Sequence, residues 1–128
     1  MNSSNTMIEM YGIKNQLPTY SQYKELLKAN VYSVCRAFLY EPNTKELREE
    51  VTKRVRTLFY PLQDLGIIFD FQVICDDSNN TNETIENNEL RVRYAVKETE
   101  GANFSIVDMT ISSYPTTFGE SEKETVGG

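Results

Sequence analysis

The hydrophobic pattern of the chain changes its period at Gly66, and this change limits the folds that the chain can adopt. Before Gly66 apolar residues recur every three or four positions, which predicts two amphipathic helices. The second helix begins with a capping-box pattern, Asn43 followed by Glu46, and should kink or end at Pro61 before Gly66 stops it. Its apolar stripe is Leu47, Val51, Val55, Leu58, Leu62 and Leu65.

The first predicted helix lies between Ser21 and Pro42. Ser21 is the expected N-cap, and Pro42 disfavours helical geometry at Glu41, which predicts the end of the helix there. The apolar residues that share one face are Tyr23, Leu26, Leu27, Val31, Val34 and Phe38.

After Gly66 the period becomes two, which predicts half-buried strands over 67–75 and 89–97. A turn-rich loop with a short helical turn at 83–88 separates them. The outward basic residues of the second strand could pair with Asp70 or Asp76, so the two strands should be antiparallel neighbours. The inward residues are Ile67, Phe69, Phe71, Val73 and Cys75, then Leu90, Val92, Tyr94 and Val96.

Together these elements predict an α+β fold in which two helices pack on a small mixed or antiparallel sheet, with extended N- and C-terminal arms. Residues 1–20 form the N-terminal arm and 21–111 the folded domain. Residues 112–128 have low apolar content and several charges, which predicts a flexible tail.

Both ends of the predicted domain carry strand candidates. Ile8 and Met10 alternate in a short N-terminal patch with no obvious partner inside the domain, and 104–111 follows a polar linker. Unpaired strand edges must be paired or shielded, and exchange with neighbouring copies is one way to do so. The alternative, equally favoured by the spacing of residues 104–111, is that this strand completes the domain's own sheet.

Composition argues against several classes of function. The chain has 128 residues, which fits one domain, and its 13 Lys and Arg against 19 Asp and Glu give a net charge of −6. Direct nucleic-acid binding is therefore disfavoured, and no apolar run predicts a membrane span or a secretory signal. With no His and two Cys, we expect no metal site, no cofactor and no enzymatic activity in a protein made and kept in a cytoplasm.

Two acidic features have a functional and a simpler interpretation. The run Asp76 to Asn80 invites a calcium site but lacks the glycine and the glutamate of such a loop, so it predicts a polar turn. Glu41 follows an apolar stretch and could be a desolvated general acid of a carboxylate-dependent hydrolase. The favoured interpretation makes Glu41, Pro42 and Asn43 a structural corner between the helices.

Four stretches of the chain occur in an order that is specific in combination. They are FLYEPN at 38–43, PLQDLGIIFDFQVICD at 61–76, DSNNT at 77–81 and LRVRYAV at 90–96. They resemble the C-terminal domain of tail sheath proteins of contractile-tailed bacteriophages, with its F-x-F-E-P-N corner, V-x-C-D strand end, D-x-x-N-N loop and L-x-V-x-V strand. The last strand of that family is matched loosely by 103–111, so the resemblance spans about residues 24–111.

The resemblance implies a non-enzymatic structural subunit of a contractile tail sheath, located in the tail of the virion and assembled in the host cytoplasm. Sheath subunits stack as hexameric rings around a tail tube, and their C-terminal domains form the inner layer and exchange strands with neighbours. Implied partners are copies of this chain or longer sheath subunits, the tail tube protein and a baseplate. The strand-exchange residues would be Ile8, Met10, Ile13, Phe104, Ile106, Val107, Met109 and Ile111.

This chain also departs from the family, whose members are several times longer and carry outer domains. We expect it to be the inner domain alone, which makes a baseplate sheath initiator or a terminal sheath cap the alternative to a sheath subunit. Sliding contacts with a tube should be polar, so the charged face of the second helix is the predicted tube-facing surface. Its residues are Lys45, Arg48, Glu49 and Lys53.

Overall fold

A computed structural model describes residues 19–112 and 120–124 of the chain. It confirms an α+β fold with helices on one face of an antiparallel sheet. The elements are α1 (Tyr20–Arg36), α2 (Lys45–Asp64), β1 (Asp70–Ile74), α3 (Asn82–Glu86), β2 (Glu89–Lys97), β3 (Phe104–Ser112) and β4 (Glu120–Glu124). None of the helices in these described ranges is long and apolar enough to cross a membrane.

The strands form one sheet in chain order, β1-β2-β3-β4, with every neighbouring pair antiparallel. The predicted pairing of the first two strands is confirmed, and Asp70 lies opposite Lys97. The outward Arg93 pairs elsewhere than predicted, since it contacts Asp108 of β3 and not an aspartate beside β1. All nine residues of β2 are in register with the nine of β3.

The core lies between the two long helices and one face of the sheet. Phe59 of α2 stacks on Phe71 of β1 with ring centroids 5.0 Å apart and contacts Tyr94 of β2 at 5.2 Å. Burial of this kind is the main source of stability in a domain of this size. The fully buried residues around these rings include Val31, Cys35, Val51, Val55, Val92, Val96 and Met109.

Both long helices begin one or two residues away from the predicted caps. The N-cap of α1 is Thr19 and not Ser21, and its N–H donates to Gln22 Oε1 at 3.0 Å. The N-cap of α2 is Thr44, whose Oγ1 accepts from the Leu47 N–H at 3.2 Å. Asn43, the predicted cap, uses its side chain in tertiary hydrogen bonds instead.

The helix ends also differ in part from the prediction. The α-helical part of α1 ends at Arg36, and the chain continues to Glu41 through turns in which an N–H donates to the carbonyl three residues earlier. Pro61 does not end α2, which runs on to Asp64. Gly66 does stop the helix: its φ is +76°, its N–H donates to Gln63 O, and the Ile67 N–H donates to Leu62 O.

Several apolar residues lie on different faces than the spacing predicts. Leu26 and Leu65 are exposed, and Phe59, which the predicted stripe leaves out, is fully buried in place of Leu58. The first strand begins at Asp70 because 67–69 still belongs to the turn after α2, so Phe69 is exposed. Neighbouring positions on a helix differ by about 100° around the axis, so adjacent leucines cannot both point inward.

The segment predicted as a flexible tail contains a strand in this structure. Glu120–Glu124 forms β4, with Glu120 opposite Met109 and Glu124 opposite Ser105. Its sequence, ESEKE, has no apolar residue, so hydrophobic periodicity carries no signal for it. Pairing through the main chain needs no apolar side chain, which explains the difference.

Candidate functional site

A network of polar side chains ties the corner between α1 and α2 to the sheet. Asn43 Nδ2 donates to Asn80 Oδ1 at 3.0 Å and to the carbonyl of Glu89 at 2.9 Å. Arg48 Nη1 donates to Asn43 Oδ1 at 2.8 Å. One asparagine of the predicted corner therefore connects the helix pair, the loop before α3 and the start of β2.

Asn80 completes this network from the loop. The Arg91 N–H donates to Asn80 Oδ1 at 2.9 Å, and Asn80 Nδ2 donates to the Arg91 carbonyl at 2.9 Å. The amide side chain thus makes the pair of bonds that a neighbouring strand would make with Arg91. Asn80 is only 2% exposed, so these bonds also satisfy polar atoms that water does not reach.

Arg48 corrects the prediction for the charged face of α2. Its side chain is 8% exposed, whereas Lys45, Glu49 and Lys53 of the predicted tube-facing set are exposed. The Arg48 side chain is buried because it points back past the N-cap Thr44 and donates a hydrogen bond to Asn43. The buried Nε of Arg48 has no hydrogen-bond partner in the described part of the chain, so the guanidinium is held in position by its bonds to Asn43.

The acidic run after β1 folds as the predicted polar turn. Asp76 Oδ1 accepts from the Ser78 N–H at 2.9 Å and from the Ser78 hydroxyl, while the Asp76 N–H donates to Asn79 Oδ1 at 3.0 Å. The hydrogen bonds from the Ser78 side chain and backbone, with a smaller contribution from Arg48, hold the pKa of Asp76 below its usual value. No cluster of three or more possible metal ligands exists within 19–112 and 120–124.

The two cysteines behave as buried apolar residues. Both thiols are free and buried. Desolvation by burial, with the nearby Cys75 adding to it, raises the pKa of the Cys35 thiol to about 12. Burial likewise raises the pKa of Cys75 to about 12, although Arg48 partly opposes the shift.

A cavity of about 310 Å³ lies beside the corner. Tyr40, 87% exposed, and Glu41 stand at its edge, and Glu41 is itself exposed to solvent. An exposed carboxylate is not desolvated, so the position of Glu41 gives no support to a general-acid role. The apolar lining consists of Phe38, Leu39, Pro42, Leu47, Ile85, Leu90 and Ile111.

Residues 104–111, one of the two predicted exchange segments, lie in this chain's own sheet. Phe104, Val107, Met109 and Ile111 are buried, and Ile106 is half-buried. Every residue of this strand faces a partner in β2. The structure therefore has the alternative in which residues 104–111 complete the domain's own sheet. Ile8, Met10 and Ile13 lie outside the described residues.

Comparison with known proteins identifies the family. The family described as phage tail sheath C-terminal domain matches residues 19–112, which run from the cap of α1 to the end of β3. The chain therefore belongs to this family.

Two curated relatives are both named tail sheath protein. The one from Vibrio phage KVP40 is 30% identical over 95 residues, covering 74% of this chain and 14% of the relative. The one from Salmonella phage ViI is 26% identical over 127 residues, covering 93% of this chain and 20% of the relative. This chain thus spans at most a fifth of the length of either. No solved structure matches it.

The sequence indicates part of this site and misses the rest. Asn43 and Asn80 both fall in the motifs that carry the family resemblance, although their mutual hydrogen bond has no signal in spacing because 37 residues separate them. Arg48 has no local signal at all, since it alternates with acidic residues as an exposed arginine would.

Proposed function

We propose that this chain is a structural subunit of a phage contractile tail sheath that polymerises around a tail tube by exchanging strands with its neighbours. The observation that carries the proposal is the family match from α1 to β3, together with the two curated relatives named tail sheath protein. The chain would supply the inner layer of such a sheath, in the tail of the virion, after assembly in the host cytoplasm.

The contacts of the sheet favour β4 as the exchanged strand. β4 is five residues long, lies at the sheet edge and is separated from β3 by residues 113–119. The same register against β3 can be made by the C-terminal segment of the same chain or of a neighbour, because strand addition uses main-chain bonds that are alike in both cases. β3 would then be the acceptor edge.

The buried residues of β3 indicate that this strand stays in the domain of its own chain. Val107, Met109 and Ile111 belong to the hydrophobic core, so withdrawing β3 would expose apolar surface and open the helix-facing side of the sheet. The residues predicted for exchange at 104–111 thus act through their backbone edge. The N-terminal segment with Ile8, Met10 and Ile13 is the proposed donor to the outer edge of β1, which has no other strand beside it among the described residues.

The exposed members of the charged face of α2 are the proposed contact with the tail tube. Lys45, Glu49 and Lys53 are accessible there, whereas the buried Arg48 supports the corner. Lys53 has no ion pair in the described part of the chain, so its charge is available to a partner. Charge reversal by Lys53→Glu should weaken cosedimentation with purified tail tubes, and unchanged binding would remove this surface from the proposal.

A sheath initiator at the baseplate or a terminal cap is the second candidate. Either would present the same sheet edges and begin or end a lattice without continuing it. An initiator or cap of this kind should bind longer sheath subunits and stay small by itself, whereas a sheath subunit should polymerise alone. The family match supports a structural role without enzymatic activity in each case.

The test compares the full chain with a chain ending at Ser112, which keeps β3 and removes β4. Light scattering across concentration should give rings or tubes for the full chain and a monomer for the truncated one. A Ser121→Pro, Glu122→Pro double variant should act like the truncation, because successive N–H groups of a strand point to opposite sides and one of these two must face β3. The Ser121→Ala, Glu122→Ala double variant is its matched control. Identical assembly by all four proteins would contradict strand exchange through β4, and a full chain that stays small until sheath subunits are added would favour the initiator or cap.

A further inference from the structure

The corner cavity is complementary to a surface at the other end of the domain. The cavity lining combines apolar side chains with polar ones, and Glu41 and Glu89 contribute carboxylates to it. Glu89 accepts from Arg91 Nη2 at 3.4 Å, whereas Glu41 is exposed and has no ion pair in the described part of the chain. A group that fills this cavity well should be apolar or aromatic with a cation beside it.

Such a group exists at the far end of α2 and the start of β1. Three large apolar side chains are exposed there: Tyr60 at 43%, Leu65 at 37% and Phe69 at 48%. We call these residues, together with the neighbouring cations Arg56 and Lys97, the aromatic end. A cluster of exposed apolar side chains flanked by charge is typical of protein contact surfaces.

The cations of the aromatic end are held against its rings. Arg56 Nε donates to Tyr60 Oη at 3.0 Å, and its guanidinium carbon lies 5.6 Å from the centre of the Tyr60 ring. Lys97 Nζ lies 6.0 Å from the centre of the Phe69 ring. Neither cation has an ion pair with an acidic side chain in the described part of the chain, and Arg56 is the exposed one of the two, so its charge can meet a carboxylate from outside.

The two surfaces cannot meet within one molecule. Leu47, which lines the cavity, and Tyr60 are 13 residues apart on α2, and a rise of 1.5 Å per residue separates them by about 20 Å. The two surfaces are also far apart along the sheet, because Glu89 and Lys97 lie at opposite ends of β2. A contact between them must join two copies head to tail, and such a contact leaves a free cavity and a free aromatic end for further copies.

We propose that the corner cavity of one copy binds the aromatic end of a second copy, with Tyr60 or Phe69 against the apolar lining and Arg56 beside Glu41. Apolar surface supplies the contact, and the charge pair sets its orientation. This contact uses side chains, whereas strand exchange uses the main chain at the edges of the sheet. The proposal rests on the polymerisation proposed above and adds a second interface to strand exchange.

Cross-linking between two variants of the full chain tests this contact. Glu41→Cys and Tyr60→Cys are mixed under mild oxidation, with the native cysteines buried and unreactive. A mixed disulfide dimer should form about tenfold faster than dimers in either protein alone, because only the mixture brings cavity and aromatic end together. Glu25→Cys, exposed on α1, replaces Glu41→Cys in the control mixture and should show no such preference.

Charge exchange provides the second measurement. By sedimentation, Arg56→Glu and Glu41→Arg should each weaken self-association about tenfold or more, and the double variant should recover most of the loss. Arg36→Glu, at an exposed arginine of α1, is the matched control and should change it less than about twofold. For the apolar part, Phe69→Ser should weaken self-association while Leu26→Ser, at an exposed leucine of α1, should not.

The outcomes separate this inference from strand exchange. If the chain ending at Ser112 loses assembly but the mixed disulfide forms no faster than the controls, the head-to-tail contact is wrong and strand exchange stands. If the mixed disulfide forms at the expected rate while truncation changes nothing, strand exchange is wrong and the head-to-tail contact stands. Rapid dimers of Glu41→Cys or of Tyr60→Cys alone would show that like ends meet, which overturns the proposed pairing.

Discussion

β3 and β4 lie side by side in one sheet and are held there by different forces. β3 buries Val107, Met109 and Ile111 against the helices and shares its other edge with β2 along nine residues. β4, with the sequence ESEKE, pairs with β3 along five residues. Apolar burial fixes which side of β3 faces the core, whereas main-chain pairing alone can be made by any extended segment. The inner strand thus belongs to the folded core, whereas the outer strand is attached through its pairing with β3.

The largest effect should separate the two strands directly. Met109→Ala removes a fully buried side chain from β3 and should lower the free energy of unfolding by about 2–5 kcal/mol. Glu122→Ala in β4 should change it by less than about 0.5 kcal/mol. Urea unfolding followed by circular dichroism measures both, and equal losses would mean that β4 is as much a part of the folding unit as β3.

Alkaline pH should weaken the helix-covered core through its two thiols. Burial raises the pKa of Cys35 and Cys75 to about 12 from an ordinary 9.0, so the unfolded chain loses these protons first. Stability is therefore full below pH 9 and falls as pH rises towards 12, by about 1.4 kcal/mol per pH unit for each thiol. Thermal unfolding between pH 8 and 11 measures the fall.

The matched control for this prediction replaces both thiols. A Cys35→Ala, Cys75→Ala double variant is less stable at neutral pH but should lose less stability between pH 9 and 11 than the natural chain. Parallel curves for the two proteins would show that the thiols do not control alkaline unfolding.

The polar network at the corner offers a third test, because the Asn80 side chain makes the hydrogen bonds to Arg91 that a neighbouring strand would otherwise make. Asn80→Ala leaves the N–H and carbonyl of Arg91 without their partners and should lower the free energy of unfolding by about 1–3 kcal/mol. Asn82→Ala, at an exposed position two residues later, should change it little. A double-mutant cycle with Asn43→Ala should show coupling through the 3.0 Å bond between the two amides, and strict additivity would contradict the network.

The same contrast explains how far the sequence predicts this structure. The apolar alternation of Leu90, Val92, Tyr94 and Val96 predicts β2 and its antiparallel neighbour, because burial on one face imposes a period of two. β4 has no such period, and its place depends on an edge that another strand provides. Phe69 is on the wrong face in the prediction because the turn after Gly66 continues three residues further than periodicity can detect.

The candidate site divides in the same manner. Motif resemblance indicates Asn43 and the loop with Asn80, but only the fold brings them within hydrogen-bond distance of each other. Arg48 is predicted on an exposed face because its neighbours in sequence are charged, and its burial follows from a bond to Asn43 that helical spacing does not encode. The aromatic end is absent from the prediction because Tyr60 lies outside the predicted apolar stripe of α2 and Phe69 is predicted on the inward face of a strand.

The smallest effect should come from the ion pair that joins β2 and β3 on the face away from the helices. Arg93 donates from Nε to Asp108 Oδ1 at 2.6 Å and from Nη2 to Oδ2 at 3.0 Å. Both side chains are more than a third exposed, so Asp108→Asn should lower the free energy of unfolding by only about 0.2–1 kcal/mol, less at high salt. Glu50→Gln, which removes the partner of Arg54 on α2, is the matched control. A loss as large as that of Met109→Ala would mean that the charged face of β3, and not its buried face, fixes its register with β2.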